Sequence, residues 1–88
     1  MDFVFSKHAQ EQMHRRGINY ETALFTVSQP DQVVVDDVDA NIVIYQSIIK
    51  EDNRMFLLRV FVDIDKQPNV VVTLYKTTKI IKYYESKI

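Results

Sequence analysis

The residues of this sequence that can do chemistry fall into two groups. The first lies in Ser6–Ile18, SKHAQEQMHRRGI. His8, Gln12 and Arg15 recur at i, i+4 and i+7, so on a helix they share one face. With Arg16 beside them, a histidine, an amide and an arginine on one stripe can hold an anion. The second group lies further on, where Arg59, Lys76, Lys79 and Lys82 are interleaved with Tyr75, Tyr83 and Tyr84. Cations among aromatic rings suit single-stranded RNA, whose phosphates take the charge and whose bases stack on the rings. Cleaving RNA without a metal needs a base for the 2′-hydroxyl, cations for the charge on the phosphate and an acid for the leaving 5′-oxygen. His8 is the well-placed residue whose ordinary pKa lies near neutrality. Arg15 and Arg16 would supply bidentate phosphate contacts.

Each of these residues also has a structural use. His8 can orient its helix by bonding a backbone group or a carboxylate. Arg15 and Arg16 can pair with Glu11 or with the Asp36–Asp39 loop, worth about 0–1 kcal/mol at a surface. The tyrosines can pack against a sheet, and Lys76, Lys79 and Lys82, at three-residue spacing, can be one solvated helix face. Other chemistries are poorly provided for. His8 and His14 fall on different sides of a helix, the chain has no cysteine, and no HExxH is present, so no metal is expected. Gly17 is the only glycine, which leaves no phosphate-cradling loop and no nucleotide cofactor of the usual kinds.

The elements that must position these residues can be read in order. Phe3 and Phe5 alternate in a short first strand, Asp2–Phe5. Ser6 is an N-cap, Lys7–Arg16 contains nothing that opposes a helix, and Gly17 sits where a helix stops in a left-handed conformation. Asn19 caps a second helix over Tyr20–Val27, which ends before Pro30. Four β-rich runs follow: Val33–Val35, Asn41–Lys50, Met55–Asp63 and Val70–Tyr75. Polar turns separate the last three and predict an antiparallel meander. The near-continuous apolar character of these runs predicts cover on both sheet faces, or one face kept for a partner. Thr77–Ile88 reads as a short helix or an irregular tail. The order β-α-α-β-β-β gives an α+β fold, two N-terminal helices on a curled antiparallel sheet.

The length of 88 residues allows one domain, residues 1–88. The net charge of −1 hides an asymmetry: Met1–Asn53 holds four Lys/Arg against nine Asp/Glu, and Arg54–Ile88 seven against three. The second half can therefore form a positive patch. No stretch is long and apolar enough to span a bilayer and none resembles a signal peptide, so a cytoplasmic, soluble protein is expected.

The runs KHAQEQMHRRGI, SQPDQVV, LLRVFVD and PNVVVTLYKTTKIIKYY together resemble a bacterial family known as a domain of unknown function, common in cyanobacteria. That family is grouped with the RelE, ParE and BrnT toxins of type II toxin–antitoxin systems. The resemblance covers nearly the whole chain. It implies a toxin-like α+β fold and a small antitoxin-like partner. It also implies active residues on the sheet and C-terminal segment. By position these are Arg59, Lys76, Lys79 and Tyr83, with His8 added from its chemistry; Arg15, Arg16 and Lys82 would extend the nucleic-acid contact. The expected activity is a metal-independent endoribonuclease or a ribosome-directed inhibitor. The alternatives are a gyrase-directed inhibitor of the ParE kind and a non-enzymatic module that uses the same sheet to bind a protein. An exposed sheet edge would serve for antitoxin docking or homodimerisation.

Overall fold

The computed structural model describes residues 3–85. Its elements run β1 (Phe3–Phe5), α1 (Lys7–Arg16), α2 (Tyr20–Ser28), β2 (Gln32–Val35), β3 (Ile42–Glu51), β4 (Arg54–Asp63), β5 (Asn69–Thr77) and α3 (Ile80–Tyr83). This is the expected α+β order. The extension of the first strand to Asp2 and of the tail to Ile88 lies outside the described residues.

Local signals set the ends of both long helices. The Ser6 hydroxyl accepts the Ala9 N–H, and Gly17 closes α1 at φ 64°, its N–H bonded to the Met13 carbonyl. That positive φ is the reason a glycine stands there. The Asn19 side chain accepts the Glu21 N–H at the start of α2. Between β3 and β4, Asp52 and Asn53 both take positive φ, which a tight two-residue hairpin turn requires.

The sheet order is β1-β5-β4-β3-β2. The β2, β3, β4 and β5 pairings are antiparallel, as the meander predicts. β1 differs: it adds to β5 in parallel, Phe5 opposite Val71. It can do so because α1 and α2 sit between it and the meander and carry the chain back to the same end. The Phe3 and Tyr45 rings meet edge to face at 5.8 Å although two strands separate theirs in the sheet, so the sheet is strongly curled.

Both helices cover one face. Ala9 and Met13 of α1 and Ala23 and Val27 of α2 pack with Leu58, Val60 and Val62 of β4 and Val71 and Leu74 of β5. In β4 the even-numbered positions from Leu58 to Val62 therefore face the helices, and Leu57, Arg59 and Phe61 face away. A bulge between Phe61 and Val62 absorbs one extra residue of β5 and keeps Val71 on the helix side. Among the described residues no helix is long and apolar enough to cross a membrane.

Candidate functional site on the open face of the sheet

Register places one residue from each of four strands side by side on the open face. Gln32 lies opposite Gln46, Gln46 opposite Arg59, and Arg59 opposite Tyr75. Paired residues of antiparallel strands point to the same side, so a polar row crosses the sheet. It is no exposed fringe. Gln46 is fully buried and Arg59 is 8% exposed.

The row is joined by hydrogen bonds that run one way. Arg59 donates from Nε to Gln46 Oε1 at 2.9 Å and from NH1 to the Tyr75 hydroxyl at 2.7 Å. A guanidinium can only donate, so Gln46 must turn its oxygen to Arg59 and its amide nitrogen away. That nitrogen donates to Gln32 Oε1 at 2.8 Å and to the Tyr83 carbonyl at 3.2 Å. Gln32 in turn accepts the Glu85 N–H at 3.0 Å and donates to the Glu85 carbonyl. The two glutamines thus hold the backbone of the segment after α3 against the sheet.

This brings Tyr83 over Arg59, with the guanidinium carbon 4.3 Å from the ring centroid. The Tyr75 and Phe61 rings lie 5.8 and 5.5 Å from the same carbon. Arg59 is compensated by three ring faces, an amide and a phenol. Among the described residues no carboxylate pairs with it; the ion pair found there joins Lys76 to Glu51. A buried cation without a counter-anion is costly unless its donors are satisfied. It is also the natural partner of an incoming anion.

Beside the row lies a cleft of about 420 Å³, bordered by Val34, Asp36, Asp37, Ile44, Arg59, Phe61 and the segment Lys82–Glu85. Its charges are mixed, with Arg59 and Lys82 facing Asp36, Asp37 and Glu85. Lys82 lies 5.2 Å from the Tyr83 ring centroid. Its hydrogen bond and charge hold the Tyr83 phenol below the usual tyrosine value; burial opposes this, and the Tyr75 hydroxyl and Arg59 add to it. Among the described residues no group of three His, Cys, Asp or Glu side chains is placed to hold a metal.

The residues singled out from the sequence are therefore divided. Arg59, Tyr83 and Lys82 come together with Tyr75. Lys76 does not join them: it pairs with Leu58 across the strands and so points to the helix side. There it bonds Glu51 at 2.8 Å and reaches the Gly17 carbonyl at the end of α1. Lys79 is exposed, with its backbone N–H bonded to the Thr77 hydroxyl before α3. His8, Arg15 and Arg16 are exposed on α1, in the layer behind the sheet. The expected stripe of His8, Gln12 and Arg15 is broken, because Ala9 and Met13 set the inward face of α1 and carry Gln12 in with them. Among the described residues Gln12 Oε1 is buried without a partner.

Sequence reasoning missed Gln32 and Gln46. A signal existed: Gln46 and Arg59 are polar residues in the middle of long apolar β runs. A polar side chain at such a position needs partners. Their matching positions on adjacent strands make them each other's partner.

The family model described as "Domain of unknown function (DUF4258)" matches residues 5–76, and the chain belongs to that family. No curated protein and no solved structure matches the chain. The matched span includes Gln32, Gln46, Arg59 and Tyr75 and stops before α3.

Proposed function

We infer that this member of the DUF4258 family is the toxin-like component of a type II toxin–antitoxin pair, and that it inhibits translation by binding RNA at Arg59. One observation carries the reading. A buried guanidinium on the open face has no counter-anion among the described residues and borders a cleft walled by aromatic rings. A phosphodiester supplies the missing charge, and Tyr75, Phe61 and Tyr83 offer stacking surfaces for bases. The resemblance to RelE-like toxins in the sheet and C-terminal segment supports the same face.

The chemistry offered here is charge neutralisation and stacking. His8 stands in the layer behind the sheet and does not serve this site. If cleavage accompanies binding, the Tyr83 phenol, held below the usual tyrosine value by Lys82, is the cleft group whose proton is loosened.

A second reading rests on a different observation. Asp36, Asp37 and Glu85 border the same cleft, and Val33, Val35 and Val38 are exposed on and beyond the edge strand β2. An acidic rim beside an apolar edge suits a protein partner, either the antitoxin-like protein or a second copy, paired along β2.

Growth of a bacterial host during induction separates the two. The toxin reading expects arrest that a co-expressed small neighbouring gene product relieves and that Arg59→Met abolishes. Normal growth under strong soluble expression would leave the binding module.

A further inference from the structure

The bonds that hold the segment Tyr83–Glu85 start at the same guanidinium that the proposed ligand needs. We propose that this segment is a strap that competes with an external phosphate for Arg59, so that the free protein covers its own anion site. The inference rests on the reading of Arg59 as the phosphate ligand and adds how access to it is controlled.

Three observations carry it. The Tyr83 ring lies 4.3 Å from the guanidinium carbon, on a face that a phosphate would otherwise approach. The strap is latched at its backbone, by Gln46 on the Tyr83 carbonyl and by Gln32 on both polar groups of Glu85. Backbone latching holds a segment whatever its side chains, so the latch is built into the sheet. Finally, Gln46 links the two functions. Its oxygen is bound to Arg59 and its nitrogen to Gln32 and to the strap, all in one direction. An anion that draws Arg59 away from Gln46 frees that amide to turn and weakens the latch. A lifted strap conversely removes the ring from the guanidinium.

The strap is also easily moved. α3 is a single turn without a side-chain cap or a buried residue, and Ile81 is 96% exposed. Little apolar burial therefore opposes its release.

The full chain is treated with an arginine-selective dicarbonyl, and labelling at each arginine is followed by mass spectrometry. Exposed Arg54 is the internal reference. Arg59 should react roughly tenfold more slowly than Arg54, because reaction waits on local opening. Two full-length variants loosen the latch: Gln32→Leu, and Glu85→Pro, which deletes the N–H to Gln32 and leaves every strand untouched. In each, Arg59 labelling should rise about three- to tenfold, the worth of one or two hydrogen bonds. Labelling at Arg54 should not change. Inorganic phosphate should slow labelling of Arg59 in both variants more than in the parent chain.

Unchanged Arg59 labelling in both variants would overturn the strap, and so would phosphate that protects the parent as well as the variants. A single-stranded RNA oligonucleotide separates this inference from the reading it rests on. If labelling and phosphate protection behave as expected while the variants bind RNA no better than background, the strap stands and the RNA reading falls.

Discussion

The two faces of this sheet are built by opposite rules. On the helix face, Leu58, Val60, Val62, Val71 and Leu74 are fully buried against two helices, and any well-packed apolar set of the same volume would serve. On the open face, Leu57 and Ile44 are buried too, but between them burial is shared by Gln46 and Arg59, whose positions are fixed by direction as well as volume. Exchange of one residue there leaves a donor or acceptor stranded. A fold of 88 residues has little stability to spare. That it places a guanidinium where a leucine would pack points to a use for the charge.

The largest test of this contrast acts on the helix face. Leu58→Ala should cost about 2–5 kcal/mol of stability, because the fully buried side chain leaves a cavity between sheet and helices. Chemical denaturation reads this as a lowered midpoint. RNA affinity per folded molecule should not change. A variant of normal stability with lost affinity would mean that the two faces are not separable.

The next test sets two cations against each other. Arg59→Met strands Gln46 Oε1 and should cost about 1–3 kcal/mol. It should also lower affinity for a labelled single-stranded RNA roughly 10- to 100-fold, the worth of charge-assisted hydrogen bonds. Lys76→Met removes a half-exposed ion pair on the helix side and should cost about 0–1 kcal/mol, with little effect on RNA. Fluorescence anisotropy checks the affinities, and the opposite ranking would move the site across the sheet.

The Lys76 case also shows what the sequence could and could not reveal. The helices were legible because Ser6, Gly17 and Asn19 announce their ends locally. The meander was legible because its strands are consecutive and joined by short polar turns. Alternation along a strand says that Tyr75 and Lys76 point to opposite faces. Which of them joins Arg59 depends on register, and the bulge at Phe61/Val62 shifts register within that very pair of strands. The row Gln32–Gln46–Arg59–Tyr75 likewise exists only after four strands have aligned. The parallel docking of β1 on β5 joins the start of the chain to its last strand, and no local signal encodes it. Inward rotation of Gln12 followed from Ala9 and Met13, so that part of the α1 stripe was open to prediction.

The smallest effect concerns the strap and has a sign that the helix face cannot produce. The Tyr83 phenol is held below its ordinary value of about 10, chiefly by its hydrogen bond to Lys82 and the charge of that ammonium. The smaller part of this lowering, from Tyr75 and Arg59 on the sheet, exists only in the docked segment, which to that extent binds fewer protons than the released one as pH approaches that value. A lowered pKa of this kind stabilises docking above the released value and gives that support up as pH falls through the docked one. The hydrogen bonds of the latch and the ring–guanidinium contact hold the strap beside this. The tyrosinate absorbance band should thus contain one phenol that ionises below the ordinary value and disappears in Tyr83→Phe. In Lys82→Met it should move back up, because the first and second causes of the shift are gone. If Lys82→Met leaves the titration unchanged, Lys82 does not reach Tyr83 in solution, and the lowering comes from Tyr75 and Arg59 on the sheet.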